Sequence, residues 1–308
     1  MKNLEVPRLL RQHGNGRVVV DVGLAFDALE TEAAVANGFN VIGFEPDPPN
    51  VAALRKKFAR DSRIHVVDLV SGAAAAAPAL AAAMWRLPAS VLKAKFPPLD
   101  PVSGRGTAYI IAAGLDETNG VAHMGGAASK EAHRATGELD YGANIGKVST
   151  PGSAASLGPG DVPIVTLDSI LPQFTFVSHI TFMKIDTQGW ELKVLKGARE
   201  SLKRRMFTYV QYELSPWLMR RSKTGDAAEL VQLLPSLGGI CFDMMEKDSH
   251  NRRPRPSTPL SGKDSFLSRL DSGKGSTHLV RTLTHAQIEA KEGDDFGPWD
   301  DVTCYFPQ

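Results

Sequence analysis

Residues 17–45, RVVVDVGLAFDALETEAAVANGFNVIGFE, decide the fold. Residues 17–23, RVVVDVG, form a short apolar run that ends at Gly23, the pattern of a buried parallel strand that stops at a turn. Asp27-Ala28-Leu29-Glu30 has the D-x-x-E spacing of a helix start, in which Asp27 caps and Glu30 reaches back. The helix then runs to about Asn37, and Gly38 suits its exit. A second strand covers 39–45 and is closed by Pro46-Asp47-Pro48-Pro49. A helix over about 50–60 and a third strand, Ile64–Val67, follow. This β-α-β-α-β alternation with short links predicts a parallel sheet with helices on both faces and right-handed crossovers.

The pattern is less regular further along. Residues 71–95 are Ala-rich and read as helical in pieces. Residues 97–160 are rich in Gly, Pro and Ser and too long for a routine connection, so they read as an inserted cover. Within them Thr107–Ala112 is expected as a strand with Gly120–His123 as its hairpin partner. Alternation resumes with strands at 162–167 and 179–186, a helix from about Trp190 to Arg204, a strand at Phe207–Leu214, a helix at 226–237 and a strand at Gly239–Met245. Residues 247–277 read as a mobile loop, and Val302–Phe306 as the last strand. The whole, 1–308, is expected to be one domain.

Composition narrows the function. Thirty-five basic and 34 acidic residues leave a net charge of +1, which gives no electrostatic reason to expect a nucleic-acid partner. No stretch of membrane-spanning length is apolar, and residues 1–17 lack a signal-peptide core. A cytoplasmic location is the expectation. Cys241 and Cys304 lie far apart and outside any CxxC or Cys/His cluster, so neither a disulfide framework nor a zinc site is expected, and a reducing compartment is the simpler reading. No metal site is assigned. His123, His133 and His179 have no ligand spacing to one another.

Chemistry concentrates at the strand ends. Gly23 would let backbone approach a cofactor closely, and Glu45 ends the second strand, where a carboxylate can accept both hydroxyls of a ribose. A dinucleotide site wants G-x-G-x-x-G, but Gly23-Leu24-Ala25-Phe26-Asp27 has a single glycine and an acid where a diphosphate would lie. Acids at Asp21, Asp27 and Glu45 suit a cationic nucleoside better, and S-adenosylmethionine carries a sulfonium, an ammonium and no phosphate.

VVVDVGLAFDALETEAAVANGFNVIGFEPDP, VPIVTLDSILP, FMKIDTQGWELKVLKGA and YVQYEL together resemble the FkbM family of S-adenosylmethionine-dependent methyltransferases, at intervals from about 17 to 245. The resemblance implies a class I methyltransferase fold: an α/β, Rossmann-like, seven-stranded, mostly parallel sheet whose last strand is antiparallel. It implies O-methylation of a hydroxyl, on a sugar or small natural product. It places Asp21, Gly23 and Glu45 on the cofactor motifs, and Asp186, Gly189, Glu191 and Glu213 on the motifs ending strands four and five. Asp68, at the end of strand three, falls where this fold holds adenine. Asp186 is expected to orient the acceptor hydroxyl and take its proton, or to hold the methionine amino group, with Glu213 as the second acid. Ala25 and Asp27 stand where glycines are common, which motivates a rival: a catalytically inactive relative that binds a nucleoside or partner. A nicotinamide-dependent oxidoreductase is the weakest alternative, for want of the glycines.

Overall fold

The computed structural model describes residues 18–71, 85–94, 96–97, 104–124, 160–175, 177–243 and 300–307. In chain order these form β1 (Val18–Val22), α1 (Leu29–Ala36), β2 (Asn40–Phe44), α2 (Pro48–Lys57), β3 (Ile64–Val67), β4 (Val70–Ser71), β5 (Trp85–Arg86), α3 (Ala89–Ala94), β6 (Ala108–Ile111), β7 (Gly114–Leu115), β8 (Gly120–His123) and β9 (Asp161–Val165). Then come α4 (Leu167–Ile170), a 3-10 turn (Leu171–Gln173), β10 (Ile180–Ile185), α5 (Glu191–Lys196), α6 (Arg199–Lys203), β11 (Phe207–Leu214), α7 (Pro216–Ser222), α8 (Ala227–Ser236), β12 (Ile240–Asp243) and β13 (Asp300–Tyr305).

The main sheet has the order β12-β13-β11-β10-β1-β2-β6-β3. β13 runs antiparallel to both neighbours, while the other pairings are parallel. Successive side chains of β1 alternate between the faces. Val18, Val20 and Val22 join the larger core with Leu192, Leu195, Leu202, Leu230 and Leu234 of α5, α6 and α8. Val19 joins the smaller core with Ala28, Val35, Leu54 and Phe58 beside α1 and α2. The sheet is therefore covered on both faces, as the apolar strand runs predict. Each fully buried Leu or Phe contributes about 1.5–3 kcal/mol.

The sheet has eight strands, not the expected seven. Ala108–Ile111, expected in an excursion, instead lies in the main sheet between β2 and β3, with every residue buried. Gly120–His123 pairs with β9, not with it. The inserted cover is thus not one segment over 97–160; its 125–159 portion, like the 247–277 loop, lies outside the described residues.

Two helix starts differ from their sequence signals. α1 begins at Leu29, its N-cap is Ala28 at φ 44, and no side chain caps it. Asp27 instead accepts through its backbone carbonyl from Lys57 Nζ at 2.5 Å, and Glu30 lies 3.3 Å from Lys184. The helix expected from Trp190 to Arg204 is two helices. Asp168 accepts from the backbone N–H of Glu200 and of Ser201, both at 2.8 Å, and so caps α6 from another element.

The two cysteines are paired. Cys241 and Cys304 face each other across β12 and β13, both buried, and form a disulfide. This corrects the expectation of no disulfide, and removes the ground for expecting a reducing compartment. No helix among the described residues is long and apolar enough to cross a membrane.

Candidate active site at the carboxyl ends of the central strands

Strand order reverses between β1 and β10: the chain leaves β1 toward β2 on one side and returns through β10 on the other. In an open α/β sheet that crevice, at the carboxyl ends, is where ligands bind. Asp21, Glu45, Asp186 and Glu213 stand at or beside the carboxyl ends of β1, β2, β10 and β11.

Gly23 is the hinge of this arrangement. Its φ is +84°, and a Cβ there would lie 1.9 Å from the backbone oxygen of Asp186. Its glycine is thus required by the loop after β10. The Asp186 N–H donates to Val22 O at 2.9 Å, so the two loops are tied where they meet. Gly23→Ala is expected to cost about 3–5 kcal/mol, from the left-handed backbone and the enforced shift of Asp186. Urea unfolding measures this, and a loss under 1 kcal/mol would mean that the close approach is absent in solution.

Asp21 is buried and accepts from Thr31 Oγ1 of α1 at 2.7 Å, while its Oδ1 is buried without a hydrogen-bond partner. Burial pushes its pKa up to about 6, against the pull of Lys184 and Thr31. Glu45 is also buried. Its Oε2 accepts from the Ala25 N–H at 2.9 Å, and its Oε1 from the Asp47 N–H at 2.9 Å and Asn50 Nδ2 at 3.3 Å. Its pKa rises to about 7, because burial outweighs these donors. The Glu45 N–H donates to Ile111 O of β6, so the extra strand helps to set this carboxylate in place.

Across the crevice, Asp186 lies 3.2 Å from Lys184 Nζ and accepts from Gln188 Nε2 at 2.8 Å. Gln188 Nε2 also donates to Glu213 at 3.0 Å. Burial opposes the charge of Lys184, but Asp186, Asp21 and Glu30 outweigh it and hold the ammonium pKa above its usual value. Burial raises the pKa of Glu213, and the charges of Asp186, Glu191 and Asp301 add to it. Glu191 is fully buried, accepts from the N–H groups of Thr187 and Gly189, and has its pKa raised by burial to about 7. It braces the loop. Gly189, at φ +97°, leaves no room for a Cβ against Leu218 of α7.

Asp68 is not brought to this site. β3 is the edge strand, and β6 separates it from β2, so it stands about two strand spacings, roughly 10 Å, from β2. The Asp68 side chain is 71% exposed and pairs with Arg55 at 2.5 Å. His123 bonds to Asp161 and His179 to Thr208, while His133 lies outside the described residues. Among the described residues no group of three or more His, Cys, Asp or Glu could hold a metal ion.

Thr31, Lys184 and Gln188 complete the site, and the sequence reading assigned none of them a role there. The available signal was position: Lys184 lies two residues before Asp186, and Gln188 two residues after it. The acids together present acceptors and negative charge, with Lys184 already engaged by three of them. That arrangement is suited to a ligand rich in donors and positive charge, and unsuited to a diphosphate.

No curated protein matches the chain. The methyltransferase FkbM domain model matches residues 18–240. This span runs from the first residue of β1 to the first of β12 and contains all four strand-end acids. The chain belongs to the FkbM methyltransferase domain family.

Proposed function

We propose that this protein transfers a methyl group from S-adenosylmethionine to a hydroxyl of a sugar or small natural-product acceptor. The observation that carries the reading is the row of strand-end carboxyl groups, with Asp21 Oδ1 buried and unpartnered beside it. These residues fit the cosubstrate. Asp21 would accept from its ammonium group, and Glu45, through the Oε2 lone pair that Ala25 leaves open while Asp47 and Asn50 occupy Oε1, from a ribose hydroxyl. Bound there, S-adenosylmethionine supplies a methyl group already activated for displacement. Asp186, with about a third of its side chain exposed, receives the acceptor hydroxyl and takes its proton. Glu213 is the second acid of the pocket. A net charge of +1 supports a small-molecule or carbohydrate acceptor over a nucleic acid.

Calorimetric titration with S-adenosylhomocysteine and with NAD tests the reading. Binding of the first and not the second supports methyl transfer. One observation favours the inactive relative: Ala25 and Asp47 of the chain itself already donate to Glu45. On that reading neither ligand binds. Glu45→Ala is expected to weaken S-adenosylhomocysteine binding by about 1.5–3 kcal/mol, the scale of a lost charge-assisted hydrogen bond. Unchanged affinity removes Glu45 from the site.

A further inference from the structure

Lys184, Asp186, Gln188 and Glu213 form a continuous polar chain across the ends of β10 and β11. Its centre is an amide. Gln188 Nε2 reaches Asp186 Oδ1 at 2.8 Å and Glu213 Oε2 at 3.0 Å, while Asp186 Oδ2 faces Lys184 Nζ at 3.2 Å. Asp186 is therefore held at both oxygens from opposite sides, which fixes the plane of its carboxylate. Each oxygen keeps a lone pair for another donor.

We propose that Gln188 is a positioning residue of the methyl-transfer site: its amide grips Asp186 and Glu213 together and orients the Asp186 carboxylate toward the acceptor hydroxyl. The inference rests on the reading of Asp186 as the base.

The residue type matters. An amide carries two N–H donors and no charge, so one group can serve two acids without neutralising either. A carboxylate at this position would add a further acid to the site. The surroundings of Glu213 are already acidic: Asp186 in the loop after β10, Glu191 on α5 and Asp301 on β13 face it, against the single ammonium of Lys184 on β10. The two gripped acids thus sit in unlike environments, Asp186 touching a cation and Glu213 half-buried among acids, and unlike environments give neighbouring carboxyl groups unlike roles. The backbone points the same way. Gln188 has φ 54°, a left-handed conformation that costs about 1–3 kcal/mol in a non-glycine residue. Glycine would make the same turn without that cost, so the turn alone does not account for a glutamine.

The test uses the full chain, with 13C-labelled carboxyl groups titrated by NMR in the wild type, Gln188→Gly and Gln188→Glu. S-adenosylhomocysteine affinity and urea unfolding are measured alongside. Losing a donor to a carboxylate raises its pKa, and a neighbouring negative charge raises it further. The Glu213 titration midpoint is therefore expected to move up by roughly half a pH unit or more in Gln188→Gly, and further in Gln188→Glu. Gln188→Gly should remain folded, since glycine suits the left-handed backbone, and should bind S-adenosylhomocysteine within about threefold of the wild type. A Glu213 midpoint that stays in place in both variants, with S-adenosylhomocysteine still bound, overturns the role of Gln188 alone. Failure of the wild type to bind S-adenosylhomocysteine overturns the methyltransferase reading, and the positioning role with it.

Discussion

Breaking the Cys241–Cys304 disulfide is expected to lower stability by about 4 kcal/mol, the loop-closure entropy of a cross-link that spans 63 residues. The two cysteines are directly opposed in the β12–β13 pair, and both are buried. In the main sheet β13 runs antiparallel to both of its neighbours, and the disulfide closes a loop of 63 residues in sequence between β12 and β13. In the unfolded chain the cross-link removes the loop-closure entropy of that stretch. Urea unfolding with and without a thiol reductant measures the effect, and the paired variant Cys241→Ala/Cys304→Ala checks it without added reagent. A change below about 1 kcal/mol would show that the β-ladder alone holds β13. The expected loss extends to the site, because β13 also pairs with β11 and sets Asp301 opposite Glu213. S-adenosylhomocysteine affinity of the reduced protein is a second readout of the same event.

The cysteines show where reading the sequence stops. Their count and separation are plain in the chain, but their pairing depends on the register of two strands that are distant in sequence. The same holds at β6. Ala108–Ile111 has the apolar run of a buried strand, and its existence is legible. Its neighbours are not, because insertion between β2 and β3 is a long-range choice that no local period encodes. That insertion is also why Asp68 falls away from the site although it does end a strand. In contrast, the strand-end positions of Asp21, Glu45, Asp186 and Glu213 were legible, since each follows from where an apolar strand stops. Thr31, Lys184 and Gln188 gain their roles only from what lies across the crevice. Asp27 shows the reverse case. A complete local capping signal is present, but the contacts of Lys57 with the Asp27 carbonyl and of Lys184 with Glu30 accompany a helix whose N-cap lies one residue later, at Ala28.

Asp186→Asn is expected to lower turnover by about 10²–10⁴-fold, the usual contribution of a general base, while the protein stays folded and binds S-adenosylhomocysteine within about tenfold of the wild type. Asparagine keeps the size and one accepting oxygen but cannot take a proton at that oxygen. Lys184 retains Asp21 and Glu30 as counter-charges, so the substitution does not leave a buried cation alone. A purely structural role as a helix cap is already weak: α5 has Trp190 at its N-cap, with no side-chain cap bond. Turnover is read as methyl transfer from S-adenosylmethionine across a panel of sugars and small hydroxylated acceptors, first with the wild type and then with the variant on whichever acceptor is used. If the variant instead loses cofactor affinity and turns over normally at saturation, Asp186 holds the methionine amino group and the base lies elsewhere in the pocket. If neither quantity moves, Asp186 belongs to the frame. The geometry ranks the first outcome ahead of the others, because the carboxylate is gripped at both oxygens and yet a third of the side chain is open: it is fixed in direction and still reachable.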